Sequence, residues 1–363
     1  MSESIQLNLE TGRWAMLGGS ILGGGGGGSE TTGKQLLEHL SSFPPLFLTP
    51  LSEIDPDSII LTASLVGAPA AKQQYVSPEQ MIRTVELFRR SEPETRLGGI
   101  ITNENGWCAT VNGWVQAAAS GLPLLDAQCN GRAHPTGVMG SMNLHRDPSY
   151  VTTMTCAGGD PALGREVECV VKGSVDHTAQ LIRDASIEAG GVVGVLRNPV
   201  SAAYVKENGA VGGISQAIAL GQAFEEGCTV SPEKGVLAAA DFLHGEIAGH
   251  GVAESFTLRT ENGFDNGRCL VDGLELSFWN EYMTLTDAAG ERLATFPDLI
   301  MTFDAKTGRP VTSAELREGM EIYVLHSSYR NLHLSAPMFD RELLAPIEQV
   351  VDRPILRHLD FLN

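Results

Sequence analysis

The first pattern along the chain is helical. Between Leu9 and Leu22, Trp14, Leu17 and Ile21 recur at the spacing of one helix face, with glycines at several positions between them. Six glycines, Gly23 to Gly28, come next, and Gln35, Leu36, Leu37 and Leu40 then predict a short helix that ends before Pro44 and Pro45. The β-branched, apolar run SIILTASLVGAP predicts a buried strand closed by Gly67 and Pro69. From Pro78 to Arg90, the positions of Met81, Ile82, Val85, Leu87 and Phe88 mark another helix, with Ser77 as its N-cap and Pro78 in the first helical position. RLGGIIT then reads as a strand, GWVQAAASG as a helix ending at Gly121, LPLLDAQ as a strand, and SYVTTMTCA as the last strand of this half.

This alternation predicts an α/β fold class, with a layered N-terminal domain and a mainly parallel sheet over residues 1–165. Residues 166–363 change character twice. A helical lead-in from about 178 to 232 contains TAQLIRDASIEAG and ISQAIALGQAFEEG. From about 236 to 345, short apolar runs separated by turn signals predict a β-rich, β-barrel-like domain.

Composition narrows the partners. The 44 acidic and 25 basic side chains give a formal charge of −19, which repels nucleic acid and an anionic membrane surface. The opening MSESIQLNLETGR lacks the basic segment and apolar core of a secretory signal, and no run approaches the roughly 18 apolar residues of a membrane span. The expectation is a cytoplasmic protein. Its cysteines, Cys108, Cys129, Cys156, Cys169, Cys228 and Cys269, are scattered without a C-x-x-C pair and read as reduced core residues.

The glycine run is the first candidate for chemistry. Gly28 to Lys34 spells G-x-x-x-x-G-K, but Gln35 stands where a phosphate-binding loop needs a magnesium-ligating hydroxyl, and a helical pattern precedes it instead of a strand. A G-x-G-x-x-G match is automatic in six glycines. Two readings stay open: a loop whose bare backbone approaches another segment, or an N–H-rich cradle in which Gly25, Gly26, Gly27 and Gly28 hold a carboxylate, an oxyanion or a ring carbonyl.

A second candidate is GLPLLDAQCNGRAHPTG. On an extended chain Asp126, Asn130, Arg132 and His134 share one face just beyond a strand's C-terminal end, where open α/β sheets place ligands. The alternative is a loop stabilised by an Asp126–Arg132 pair and capped by His134. His244, Glu246 and His250 share parity on a strand and are of metal-ligating type but lack an HExxH or cysteine spacing, so they read first as a partly exposed strand face with no metal and no cofactor, and a metal-dependent hydrolase built on them stays open as the weaker alternative. There is no G-x-S-x-G elbow, and Cys129, near His134, is a candidate thiol.

Taken together, LGGSILGGGGGGS, RLGGI, GLPLLDAQCNGRAHP, GFDNGRCLVDG, LSFWNEYMTL, FPDLIMTFDAKTGRPV and LREGMEIYVL resemble, in order, the pattern of the S-methyl-thiohydantoin desulfurase-like family. The resemblance spans nearly the whole chain. It implies an N-terminal α/β domain, a C-terminal part with a β-barrel-like domain, and action on small five-membered cyclic imides or amidines of the hydantoin or S-methyl-thiohydantoin kind. On that basis Asp126 is expected as base with His134 as helper, while Asn130, Arg132 and the loop amides bind the substrate. Gln128 and Thr136 stand where the family has acidic residues, and His134 where it has an aromatic one. A small-molecule substrate, a hydantoinase/oxoprolinase-type protein partner and self-association are the partners compatible with this resemblance. A non-catalytic accessory subunit of such a system is the alternative role.

Overall fold

The helical face of Trp14, Leu17 and Ile21 is realised in α1 (Leu9–Leu22) of the computed structural model, which describes residues 4–67, 73–261 and 264–362. Asn8 starts this helix, its side chain accepting hydrogen bonds from the N–H groups of Glu10 and Thr11 at 2.9 and 3.0 Å. The glycine run then leads into α2 (Glu30–Leu40), so it joins two helices, and Lys34 pairs with Glu30 at 2.7 Å on the surface. The elements expected around them form as α3 (Pro78–Ser91), capped by Ser77, and α4 (Trp114–Ser120), which ends at Gly121 with a φ of 68°. Pro69 lies outside the described residues.

The first sheet is built from β1 (Ile5–Leu7), β2 (Leu46–Thr49), β3 (Ile59–Gly67), β4 (Leu97–Thr102), β5 (Leu124–Gln128), β6 (Thr152–Gly158), β7 (Val167–Gly173), β8 (Val192–Ser201) and β9 (Ala210–Val211). Its order is β1-β2-β5-β4-β3-β8-β6-β7, with β9 on β5. β2, β5, β4 and β3 run parallel, and the strands flanking them pair antiparallel. The change of sequence character at residue 165 falls inside this sheet. Strand β8 inserts beside β3, because its apolar run VVGVL buries on both faces.

α5 (Val175–Glu188), α6 (Ala202–Asn208), α7 (Gly213–Cys228) and α8 (Pro232–Phe242) follow in the second half. α7 crosses α1 at backbone contact: a Cβ on Gly18 would lie 1.9 Å from the Ala217 carbonyl oxygen, and one on Gly221 would lie 1.9 Å from that of Trp14. Ile21, Leu22, Leu220, Phe224 and Val236 then pack on Leu299, Met301 and Phe303, joining the helices to the second sheet.

That sheet comprises β10 (Glu246–Glu261), β11 (Phe264–Val271), β12 (Leu274–Trp279), β13 (Glu281–Thr286), β14 (Arg292–Thr295), β15 (Leu299–Asp304), β16 (Pro310–Val311) and β17 (Glu321–Ser327). All its pairings are antiparallel, in the order β14-β13-β12-β11-β10-β17-β15-β16. It curls around a core of its own, with Leu276, Tyr282 and Leu285 packed in one cluster with Ile300, Val324 and Val311. The barrel-like expectation is not met as a closed barrel: among the described residues no pairing joins β14 to β16. Register shifts within β10 let its first half pair with β17 and its second half with β11, which turns the sheet but leaves its ends open. α9 (Arg341–Val351) packs Leu344 and Ile347 beside Trp279, Met283 and Phe296. No helix among the described residues is long and apolar enough to cross a membrane.

Candidate functional site

The parallel strands β4 and β5 end side by side, and the polar residues just beyond them meet. Asn105, after β4, donates to the Gly131 carbonyl at 2.8 Å and accepts from Gln128 Nε2 at 3.1 Å, so it ties the two strand ends together. Gly131 has a φ of 85°, and this left-handed turn breaks the alternation that would have kept Asp126 to His134 on one face.

Asp126 and Arg132 consequently diverge. Asp126 Oδ1 accepts from the N–H groups of Ile214 and Ser215 at 3.2 and 3.0 Å, and Oδ2 accepts from Ser215 Oγ at 2.6 Å. All these contacts lie in the first turn of α7, where a carboxylate offsets the unpaired N–H groups and the helix dipole. The expectation that Asp126 faces a substrate as base is therefore not what the geometry offers. Nor is an Asp126–Arg132 loop pair formed.

His134 and Glu104 meet instead. His134 Nδ1 lies 2.7 Å from the Thr136 carbonyl oxygen, which can only accept, so Nδ1 carries the proton and Nε2 its lone pair. Nε2 lies 3.1 Å from Glu104 Oε2 without forming a hydrogen bond among the described residues. The His134 side chain is 4% exposed and that of Glu104 17%. Burial, reinforced by the Arg197 charge, pushes His134 down to about 3. Burial pushes Glu104 up to about 8 against the opposing pull of Arg197. At neutral pH both groups of this close pair are uncharged, a carboxylic acid beside a neutral imidazole.

The pair is framed by groups from both sides. Asn103 Nδ2 donates to Glu104 Oε2 at 3.1 Å, and Asn103 Oδ1 accepts from Arg197 Nη2, which β8 carries into register opposite Thr62 of β3. Arg197 is 6% exposed, and its Nε has no hydrogen-bond partner among the described residues. The turn Met139–Ser141 closes over the top: a Cβ on Gly140 would lie 2.9 Å from His134 Nε2 and 3.0 Å from Asn103 Oδ1.

The glycine run forms the adjoining wall. Arg132 reaches it, as a Cβ on Gly24 would lie 2.2 Å from Arg132 Nη2. A Cβ on Gly26 would lie 2.0 Å from Glu281 Oε1, and one on Gly27 2.2 Å from the Gly106 Cα. Gly25 meets the Tyr282 ring, and Gly28 meets Cys108 Sγ. The loop carbonyls of Gly24, Gly25 and Gly27 accept from the N–H groups of Tyr282, Ser313 and Ala109 at 2.8, 3.1 and 3.3 Å. The close-approach reading of the run is thus realised in its contacts. Asn130 is occupied within its own turn, donating to the Arg132 carbonyl and accepting from Ser335 Oγ at 3.0 Å.

Cys129 borders this centre, close enough for the charges of Arg197 and Glu104 to act on its thiol, whereas His250 and Glu246 of the second sheet stand apart from it. Cys129 shares a hydrogen bond with Thr62 Oγ1 at 3.0 Å, and burial pushes its thiol up to about 11, as it does that of Cys108. His250 stacks on Tyr323 and pairs with Glu321 at 3.1 Å, while Glu246 faces His326 at 3.9 Å across β10 and β17. Among the described residues no group of three or more His, Cys, Asp or Glu side chains is placed to hold a metal ion.

Glu104, Glu281, Asn103 and Arg197 are the site residues that sequence reasoning missed. Glu104 had a signal: ITNEN directly follows a strand, the argument already applied to Asp126. Glu281 and Arg197 are single charges in apolar runs, FWNEYM and VGVLRN. Glu104 and Glu281 supply two carboxyls raised by burial beside the glycine run.

Comparison with known proteins follows this layout. The model of the S-Me-THD-like N-terminal domain matches residues 12–163, and that of the S-Me-THD-like C-terminal domain matches residues 174–336. No curated protein matches the chain. A crystal structure of a protein from Chromobacterium violaceum superposes with a TM-score of 0.73 at 21% identity, covering 99% of this chain and 98% of that one, which shows a shared fold.

Proposed function

The chain belongs to the S-Me-THD-like family, and on that premise we propose that it hydrolyses the carbon–sulfur bond of a small five-membered S-methyl-thiohydantoin-type ring, with Glu104 as its proton-transfer group. The observation that carries this reading is the buried Glu104–His134 pair at the carboxyl ends of β4 and β5, held at 3.1 Å with Glu104 raised to about 8. A carboxyl in that range is mostly protonated at neutral pH yet gives up its proton readily.

The chemistry balances on one carboxyl. Glu104 protonates the ring nitrogen of the C=N bond, which makes the sulfur-bearing carbon electrophilic, and its carboxylate then takes a proton from the water that attacks that carbon. The C–O bond forms and the C–S bond breaks; Glu104 protonates the leaving thiolate and recovers a proton from the new hydroxyl as it becomes a carbonyl. The products are methanethiol and the hydantoin, and Glu104 ends protonated as it began. Asn103 Nδ2 donates to Glu104 Oε2 and so fixes the carboxyl in place beside the neutral His134 ring. Arg197 Nε, buried without a hydrogen-bond partner among the described residues, is a donor for charge developing on the attacked centre.

The test is thiol release from an S-methyl-thiohydantoin by the purified chain. Wild type should turn over, and Glu104→Gln, which keeps shape and neutrality, should lose at least about a hundredfold in kcat. Equal turnover by both would remove Glu104 from the chemistry, and no turnover by wild type would remove the reaction.

A further inference from the structure

The groups on the glycine-run side of the site are not used by the Glu104 chemistry. Arg132 is fully buried, its Nη1 donating to the carbonyls of Pro297 and Asp298 and its guanidinium lying 4.5 Å from the centroid of the Phe296 ring. Its Nε and Nη2 have no hydrogen-bond partner among the described residues. Glu281 is 3% exposed, and its Oε2 is likewise unpartnered. Gly24 abuts Arg132 Nη2, Gly26 abuts Glu281 Oε1 and Gly27 abuts the Asn105 carbonyl next to Glu104, so the three residues border one stretch of the loop.

Each buried, unpaired donor or acceptor is destabilising, and ionisable ones most of all. The fold keeps three such atoms next to the glycine loop, whose Gly24 and Gly26 pack directly on Arg132 Nη2 and Glu281 Oε1 with no side chain between. Two adjacent N–H donors with a carboxyl acceptor beside them complement a carbonyl bonded to an N–H. That unit occurs in the ring next to the carbon attacked in the reaction above.

Resting on that reading of the reaction, we propose that Arg132 and Glu281 recognise the unsubstituted ring amide of the substrate. Arg132 Nε and Nη2 donate to the ring carbonyl oxygen, and Glu281 Oε2 accepts from the neighbouring ring N–H. The glycine loop backs both side chains from behind, and the ring is oriented with its sulfur-bearing carbon toward Glu104. Arg132 and Glu281 thus set specificity for rings with a free N–H.

The experiment is calorimetric binding of hydantoin, which carries no sulfur to release, against its N3-methyl derivative. Wild type should bind hydantoin at least about tenfold more tightly than the methylated ring. In Glu281→Met, which removes the acceptor while retaining bulk, the preference should fall below about twofold. Equal binding of the two rings by wild type, no binding of hydantoin, or a preference that persists in folded Glu281→Met would each overturn the assignment. If the Met variant does not fold, the wild-type comparison alone decides. Discrimination between the rings without thiol release from the S-methyl compound would uphold this site and reject the hydrolysis, and thiol release with equal binding would do the reverse.

Discussion

Glu104→Gln can be examined without any substrate. In the folded chain burial holds Glu104 up at about 8 against an ordinary 4.5, so between those values the folded protein retains a proton that the unfolded chain has released. Stability therefore falls as pH rises through this window, by about 1.4 kcal/mol per pH unit for a full proton. His134 acts in the opposite sense: held down at about 3 from 6.5, it makes stability rise with pH between those values and adds nothing further above 6.5. The clean interval is pH 6.5 to 8, where Glu104 accounts for a loss of about 2 kcal/mol at most. Its 17% exposure lets water reach the carboxylate, so a loss of about 1 to 2 kcal/mol is expected. Urea unfolding at both pH values measures it, and groups common to both proteins cancel in the difference. Wild type should lose stability relative to Glu104→Gln over that interval. Parallel changes in the two proteins would refute the raised Glu104.

Three other substitutions or treatments test the frame around the site. Asp126→Asn removes the carboxylate from the start of α7 and should cost about 1 to 2 kcal/mol in chemical denaturation while the folded protein keeps its thiol-release rate; lost turnover at unchanged stability would return Asp126 to the chemistry. Gly221→Ala drives a Cβ to within 1.9 Å of the Trp14 carbonyl oxygen and should cost at least about 2 kcal/mol, read as a fall in Tm of several degrees; an unaltered Tm would contradict the α1–α7 crossing. Cys108 and Cys129, both pushed up to about 11, should resist iodoacetamide at about pH 7.5 in folded protein and react once urea unfolds it; mass-spectrometric labelling of either in the native state would count against their burial as thiols.

Where local chemistry decides, the sequence was sufficient. The face of Trp14, Leu17 and Ile21 specified α1, and the Ser77–Pro78 start specified α3, because spacing and capping act within a few residues. Arg132 and His134 were visible for a similar reason, since they lie just past a strand end. The alternation argument held only as far as Gly131, beyond which the positive φ redirected Arg132 toward Pro297 and Asp298. β8 and its Arg197 were not legible, because a cation inside an apolar run becomes tolerable through Asn103, 94 residues away, and its neighbour Glu104. Glu281 was hidden for the same reason: its partners are the glycine run and Arg132, which only the tertiary fold brings to it. The glycines advertised close approach, but not which segments would approach.

The central claim, that protonated Glu104 delivers the proton for ring hydrolysis, is tested most directly by the pH dependence of kcat/KM for thiol release. The account predicts a rate that is level below about pH 8 and falls tenfold per unit above it, as Glu104 ionises in the free protein. A rate that stays level or rises from pH 7 to 10 would contradict it.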